Sequence, residues 1–243
     1  MTERKSGSLR ETVRTILYAV LIALAIRTLA FEPFNIPSGS MKPTLLVGDY
    51  LFVSKFSYGY SRYSLPFDLG WWSGRIFERL PERGDVVVFK LPTDNRTDYI
   101  KRVIGLPGDR VQVVNGVLQL NGEPVRLESV GEFADSEDGF QMRAAMYREY
   151  LPGGRSHLVL DLTRYGRLDD TPVFEVPPGH LFVMGDNRDN SVDSRADVGF
   201  VPVENLIGRA EILFFSVNGE ARWWEVWKWP WAIRWDRLFK LIE

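Results

Sequence analysis

A glycine-serine loop between two prolines is the first segment with residues suited to chemistry. The run PSGSMKP places Ser40 directly after Gly39, with Pro37 and Pro43 on either side. Glycine permits close approach of another chain and each proline restricts the backbone, so the loop can present one hydroxyl as a nucleophile. The same composition is typical of an ordinary surface turn, and the loop alone leaves both interpretations open.

A serine nucleophile needs a general base, and neither histidine of the chain, His157 or His180, has a setting that favours this role. A lysine can replace histidine when burial lowers its pKa from about 10.4 to about 7 or 8. Lys101 is the best candidate, because alternation along YIKRV places Tyr99 and Val103 on the same face of a strand. Lysines are also common at strand edges, so alternation alone does not identify a base.

A polar stretch at residues 184–195, MGDNRDNSVDSR, is the third segment of interest. Most of its side chains donate or accept hydrogen bonds, which is typical of a solvated loop held by Asx turns. The alternative is a supporting role beside the lysine. Ser191 can hydrogen-bond the amine and orient it, and Asp193 with Arg195 can brace the loop by a charge-assisted pair.

Composition restricts the class of protein. The 243 residues are 45% hydrophobic and 26% charged, which is enough for a substantial core. The net charge of -2 provides no general attraction to nucleic acid, and we assign no nucleic-acid partner. The chain has no cysteine and only two histidines, which excludes a disulfide framework and argues against a zinc site. We assign no metal and no cofactor.

An apolar segment precedes the serine loop. Residues 15–26 carry no charge, and apolar character resumes after Arg27, so the span approaches the roughly 20 residues that a bilayer requires. We predict an uncleaved transmembrane helix at residues 13–31; the alternatives are a cleaved signal peptide and a buried core helix. Basic residues dominate the preceding flank, so the positive-inside rule places the N-terminus in the cytoplasm and the remainder outside.

Short apolar runs separated by Gly, Pro, Asn and Asp follow Pro43 and indicate a mainly β domain. Asn115-Gly116 between two such runs predicts a hairpin with a primed turn. Residues 122–176 are less regular and more charged, which indicates a smaller β-rich insertion. The candidate strands are residues 50–55, 85–90, 99–104, 110–114, 117–120, 180–184 and 210–215.

The C-terminal segment holds six of the eight tryptophans, interleaved with basic residues. Indole rings favour the headgroup region of a membrane, and lysine and arginine attract anionic lipid. Aromatic clusters also serve cores, so a packed tail that covers a sheet edge is an equal alternative.

Together these segments resemble the type I signal peptidase family of Ser/Lys proteases. The resemblance rests on five ordered motifs: PSGSMKPTL, GDYLFVSK, RGDVVVFK, DYIKRVIGLPGD, and GDNRDNSVDSR followed by GFVP. It implies Ser40 as nucleophile and Lys101 as general base, with Ser191, Asp193 and Arg195 in support. It also implies an oxyanion hole formed by the Ser38 hydroxyl and the Ser40 backbone N–H. The implied substrate-binding residues are Ile36, Pro37, Leu45, Tyr99 and Ile100.

The resemblance further implies a function and a place in the cell. The expected protein is a membrane-bound endopeptidase that removes N-terminal signal peptides from exported preproteins, cutting after small residues at Ala-x-Ala type sites. The substrate is expected to bind extended beside the strand that carries Lys101. The expected partners are signal peptides and membrane lipid, and we expect a monomer. The expected location is the bacterial cytoplasmic membrane, crossed once, with the catalytic domain on the outer side.

The expected fold is a signal-peptidase-like β catalytic domain with a smaller β-rich insertion, behind one N-terminal transmembrane helix. Three alternatives are a self-cleaving repressor on the same scaffold, an inactive membrane-tethered module that binds extended peptides, and a structural envelope protein. The transmembrane segment opposes the first, and the presence of both Ser40 and Lys101 opposes the second. The predicted organisation is a cytoplasmic N-terminus at 1–12, a transmembrane anchor at 13–31, a β catalytic domain at 32–121 and 177–220, an insertion at 122–176 and a Trp-rich amphipathic tail at 221–243.

Overall fold

A computed structural model describes residues 8–65, 72–137, 140–163, 165–219 and 224–243. Residues 1–7 of the predicted cytoplasmic segment and residues 220–223, where the predicted tail begins, lie outside the described residues. The fold is mainly β behind an N-terminal helix, which confirms the predicted fold class. The helices are α1 (Ser8–Leu29) and α2 (Trp229–Ala232). The strands are β1 (Phe31–Asn35), β2 (Asp49–Ser54), β3 (Val86–Lys90), β4 (Asp98–Gly105), β5 (Arg110–Val114), β6 (Val117–Leu120), β7 (Glu123–Pro124), β8 (Arg126–Glu137), β9 (Phe140–Tyr150), β10 (Ser156–Asp161), β11 (Phe174–Glu175), β12 (His180–Met184), β13 (Val201–Pro202) and β14 (Leu206–Ser216).

Helix α1 has the properties of a membrane span. Its segment Leu9–Leu29 has a mean hydropathy of 1.7, and none of its most apolar window is buried against the rest of the chain. Twenty-one helical residues extend about 31 Å, which matches the hydrocarbon core of a bilayer. A core helix would bury one face, so this finding opposes that alternative. The helix ends at Leu29 because the chain becomes strand β1 at Phe31.

The junction between α1 and the β domain is held by hydrogen bonds. The Tyr60 hydroxyl donates to the Leu29 carbonyl at 2.6 Å, and the Lys55 backbone N–H donates to the Ala30 carbonyl at 2.9 Å. The Lys55 ammonium also pairs with Glu32 at 2.8 Å and is buried. These contacts satisfy carbonyls at the helix end and fix where the β domain begins.

A seven-stranded antiparallel sheet forms the main domain, in the order β1-β2-β14-β3-β4-β12-β13. Strand β3 is central, and its four apolar residues alternate between two cores. Val86 and Val88 face one core, and Val87 and Phe89 face the other. The continuous apolar run VVVF thus reflects a strand buried on both faces.

Two smaller sheets complete the fold. Strands β11-β5-β6-β7 form one, in which Asn115 and Gly116 have φ angles of 50° and 77°. Positive φ at both central residues is the type I′ hairpin geometry that the sequence predicts. Strands β10-β9-β8 form the other. The long strands β8 and β9 lie within the predicted β-rich insertion.

The C-terminal tail packs in part on the main sheet. Leu241 forms a β-bridge with Ile212, and Ile242 is buried in the core below. Arg237 makes a two-pronged ion pair with buried Asp49, at 3.0 and 2.5 Å. This end of the tail fits the packed-cover interpretation, whereas membrane contact by the tryptophans stays a prediction. The exposed tryptophans of the described tail are Trp224, Trp227, Trp229, Trp231 and Trp235.

Candidate active site

Ser40 lies in a short 3-10 turn, Gly39–Met41, that follows strand β1. Met41 and Leu45 have no exposed surface and anchor the turn in the core. The Asn187 backbone N–H donates to the Ser40 carbonyl at 3.0 Å, and its side-chain amide donates to the Gly39 carbonyl at 3.1 Å. The turn is therefore held from beneath by apolar packing and from the side by Asn187.

Lys101 lies on β4 opposite Val87 of the central strand, and only 3% of its surface is exposed. Its Nζ is 2.8 Å from Ser40 Oγ and donates to the Ile100 carbonyl at 2.9 Å. The Tyr99 ring lies on the same side, with its centroid 5.3 Å from Nζ. The structure thus brings together the two residues that the family resemblance implies as nucleophile and base.

Burial changes the protonation of this amine. Loss of solvent lowers the pKa of Lys101 from 10.5 to about 8, although the carboxylates of Asp193 and Asp186 favour the charged form. A neutral amine at hydrogen-bond distance from a hydroxyl can accept its proton. The geometry therefore permits Lys101 to activate Ser40 without a histidine.

The predicted supporting residues lie beside this pair. Asp193 accepts hydrogen bonds from Arg195 Nε at 3.0 Å and Nη2 at 2.8 Å, and from the Gly185 backbone N–H at 3.0 Å. Burial alone would raise the pKa of Asp193, but the Arg195 guanidinium holds it below its usual range. Ser191 packs against Gly185, where a Cβ atom would also lie 2.6 Å from the Ser40 carbonyl. Among the described residues the buried Ser191 Oγ has no hydrogen-bond partner, so its predicted bond to Lys101 is not formed in this structure.

A second buried ion pair lies next to Lys101 along strand β4. Arg102 donates through Nε and Nη2 to Asp186 at 2.8 and 2.7 Å, and both side chains are 1% exposed. Thr44 donates to the same carboxylate at 2.5 Å. Because Arg102 follows Lys101 on β4, this pair ties the strand of the lysine to the loop that begins at Gly185.

An open cleft of about 670 Å³ runs past Ser40 and Lys101. One wall is residues 34–40 and another is residues 97–101. Within the described residues, β12 pairs with β4 only from Arg102 onward, so the preceding part of β4 has an edge open to the cleft. An extended peptide can add to that edge. Besides Ser40 and Lys101, the predicted residues that line the cleft are Ile36, Pro37, Ser38, Tyr99, Ile100 and Ser191.

Leu45 differs from the other predicted substrate-binding residues. It is fully buried in the core with Met41 and is not among the residues that line the cleft. Its physical role here is to anchor the Ser40 turn.

Several buried polar residues at the site have no role assigned by the sequence analysis. Three of them lie within motifs of the resemblance: Arg102, Asp186 and Asn187. The motifs mark these positions, but the sequence does not show which residues they contact. Glu149 and His157 lie in the insertion and belong to no such motif, although both are buried beside Asp186 and Arg188. Only the fold places them at the site.

Comparison with known proteins finds a matching family model, similar sequences and a similar solved chain. The family model described as Signal peptidase, peptidase S26 matches residues 9–215. Signal peptidase I of Rickettsia typhi is 40% identical over 256 residues, which cover 98% of this chain and 95% of the relative. Signal peptidase I of Rickettsia akari is 46% identical over 219 residues, which cover 86% and 79%. A solved signal peptidase I of Enterococcus faecalis V583 is 26% identical, covers 54% of this chain and 97% of its own, and has a TM-score of 0.32.

These relatives place the chain among the peptidases. More narrowly, it belongs to the signal peptidase family, peptidase S26, because the family match spans most of its length. The resemblance drawn from the five motifs is thereby confirmed. Helix α1 fits the membrane-anchored character expected of such an enzyme.

Proposed function

We propose that this chain is a membrane-anchored endopeptidase that removes signal peptides from preproteins, with Ser40 as nucleophile and Lys101 as general base. The proposal rests chiefly on one observation: a buried Nζ lies 2.8 Å from Ser40 Oγ in an open cleft. Family membership supports peptide-bond hydrolysis, and the buried pair supports the way in which this chain carries it out.

The proposed reaction has two halves. Neutral Lys101 takes the Ser40 proton as Oγ attacks the scissile carbonyl, and the Ser38 hydroxyl with the Ser40 N–H stabilises the negative oxygen. The Lys101 ammonium returns the proton to the leaving amine as the C–N bond breaks, which leaves an acyl ester on Ser40. Water then attacks the ester, with Lys101 again accepting and returning a proton, and the signal peptide departs with a free carboxylate.

The proposed substrate binds as an extra strand along the open edge of β4. Ile36 is only 3% exposed, and Tyr99 and Ile100 are partly buried, so side chains pointing at this wall meet a shallow, apolar surface. We propose that alanine side chains fit such a surface better than larger or charged ones, which would account for cleavage after small residues of the Ala-x-Ala type.

The proposed arrangement places α1 across the bacterial cytoplasmic membrane with the N-terminus inside. The β domain then lies on the outer side. Substrate held in the same membrane by its own apolar segment meets the enzyme at raised effective concentration. We propose that the chain acts as a monomer.

Cleavage of a purified preprotein with an Ala-x-Ala site, in detergent or lipid, tests the assignment. Wild type is compared with Ser40→Ala and the similarly sized Lys101→Met, and Ser129→Ala on the exposed face of β8 is the matched control. We expect both site variants to lose about 10⁴-fold or more in kcat and the control to match wild type. If all four cut alike, the Ser/Lys mechanism is wrong. If none cuts but the preprotein binds, an inactive peptide-binding module replaces it.

A further inference from the structure

The small sheet β8–β10 is linked to the proposed catalytic residues indirectly, through a series of buried hydrogen bonds and ion pairs. We propose that Glu149 of β9 is a positioning residue that, through Arg188, holds both the Ser40 turn and the loop beside Lys101. This inference rests on the proposed Ser/Lys function and assigns a role in it to the insertion.

Glu149 is 1% exposed and makes a two-pronged ion pair with Arg188. Arg188 Nη1 donates to Oε1 at 2.8 Å, and Nη2 donates to Oε2 at 2.6 Å. The carboxylate lies on the insertion, and the guanidinium lies on the loop between β12 and β13. Paired, planar hydrogen bonds fix orientation as well as distance, so the side chain of Arg188 has one position.

Arg188 is also held through its backbone. Its N–H donates to the Leu160 carbonyl of β10 at 3.0 Å, and its carbonyl accepts Arg195 Nη2 at 2.7 Å. Arg195 in turn pairs with Asp193, whose carboxylate raises the pKa of Lys101 against the effect of burial. This series of hydrogen bonds and ion pairs therefore extends from Glu149 to Asp193, which influences the proposed base.

A second series of contacts connects Arg188 to the proposed nucleophile through Asn187, the residue before Arg188. Asn187 contributes the two hydrogen bonds, at 3.0 and 3.1 Å, that hold the carbonyls of Ser40 and Gly39. Because consecutive residues share a rigid peptide plane, a shift of Arg188 moves Asn187 as well. Glu149 thus acts on both members of the proposed pair without contacting either.

In the described part of the chain, Arg188 is the only charged cation paired with Glu149. His157 Nε2 lies 3.4 Å from Glu149 and 3.8 Å from Asp186, but burial and the Arg102 guanidinium lower the pKa of His157 to about 4, so it is neutral at physiological pH. Asp186 is committed to Arg102. Asp186 and Asp193 also favour the charge of Arg188, but only Glu149 is hydrogen-bonded to its guanidinium in the described residues. Loss of the Glu149 charge therefore leaves the buried guanidinium without its paired carboxylate, and we expect the loop to move and hydrate it.

Glu149→Gln in the full-length chain tests the proposal, with kcat, KM and the pH profile of kcat/KM measured on one peptide substrate. We expect kcat to fall by about 10- to 100-fold, as for loss of other outer residues that orient catalytic groups, with KM little changed. Water admitted by the moving loop reduces the burial of Lys101, which faces Asp193 and Asp186. The acidic limb of the profile should therefore move to higher pH. A kcat and a limb equal to those of wild type would overturn the proposal.

Two further variants keep the test decisive. Glu149→Asp keeps the charge but is too short for the two-pronged pair, so it should lower kcat in the same direction by a smaller factor; wild-type behaviour of this variant also overturns the proposal. Asp109→Asn removes a partly buried partner of Arg83, and the side-chain hydrogen bonds of Asp109 go to residues outside the loop. This variant should lower stability to urea without moving the limb. Ser40→Ala, measured in parallel, separates the two hypotheses: if it stays active, the proposed function fails whatever Glu149 does.

Discussion

The acidic limb of the pH–rate profile is the most direct measure of the proposed base. Burial places the pKa of Lys101 at about 8, against 10.5 for an ordinary lysine. A pKa shift of this size corresponds to about 3 kcal/mol of disfavoured charge. At pH 8 about half of the amine is neutral, against about 0.3% for an unperturbed lysine, which is a gain of about 160-fold in reactive enzyme.

The expected profile follows from the sign of this shift. Lowering the pH protonates the base, so kcat/KM should fall tenfold per pH unit well below pH 8 and reach a plateau above about pH 9. The assay is hydrolysis of a blocked peptide that has no group titrating between pH 6 and 10, in detergent micelles. In Lys101→Met, any remaining activity should no longer show the acidic limb near pH 8.

Two outcomes would refute this reasoning. A limb with its midpoint above pH 10 would mean that Lys101 is not desolvated in the working enzyme. A limb near pH 6.5 that disappears in His157→Gln or His180→Gln would assign the base to a histidine. Each outcome points to a different error, the first in the burial of the amine and the second in its identity.

Three further predictions concern other parts of the molecule. Gly185→Ala should lower single-turnover cleavage by about 10²-fold, since its Cβ would displace Ser191 and the Ser40 carbonyl; a wild-type rate contradicts this. His157 has a pKa of about 4 in the folded state, against 6.5 ordinarily. The unfolded state therefore binds more protons between these values, so stability should fall by about 3 kcal/mol as pH drops through this range; urea unfolding of His157→Gln should lack that slope. Removal of α1 should leave peptide hydrolysis intact but slow cleavage of bilayer-inserted preprotein by at least about tenfold, and equal slowing of both substrates would argue against the anchor role.

The strands that the sequence predicts are those with local signals. The hairpin 110–120 is correct to the residue, because alternation and Asn115-Gly116 specify it without help from distant chain. The central strand β3 is also predicted, from its continuous apolar run. In these elements local preference and tertiary burial agree.

Two of the strands that the sequence does not predict, β1 and β8, lack such signals. Strand β1 contains a proline and exposes alternate residues, and β8 is mostly exposed, with charged residues at five of its twelve positions. Both form because a partner strand supplies a backbone ladder, β2 for β1 and β9 for β8. Pairing of this kind is stabilised by hydrogen bonds more than by apolar burial, so composition does not reveal it.

The candidate site divides in a similar way. Spacing alone left Ser40 open as nucleophile or turn residue, and the family resemblance supplied the roles of Ser40 and Lys101. Glu149 and Arg188 were not found, because nothing in a single sequence links residues whose contact depends on how β9 packs against the loop after β12. His157 was set aside as part of an irregular segment, but it lies buried in strand β10.

The hydrogen-bonded junction between α1 and the β domain fixes the distance from the end of the helix to Ser40. Hydrogen bonds from Tyr60 and Lys55 fix the last turn of the helix, and β1 then runs about 17 Å as a strand paired to β2 before the chain reaches Ser40. Because β1 is paired with β2, this connection is rigid, and in the proposed membrane arrangement it holds the nucleophile at a fixed height above the lipid. A scissile bond is then selected partly by its distance from the apolar segment of its own substrate. Two identical Ala-x-Ala sequences at different heights would not be equivalent to this enzyme.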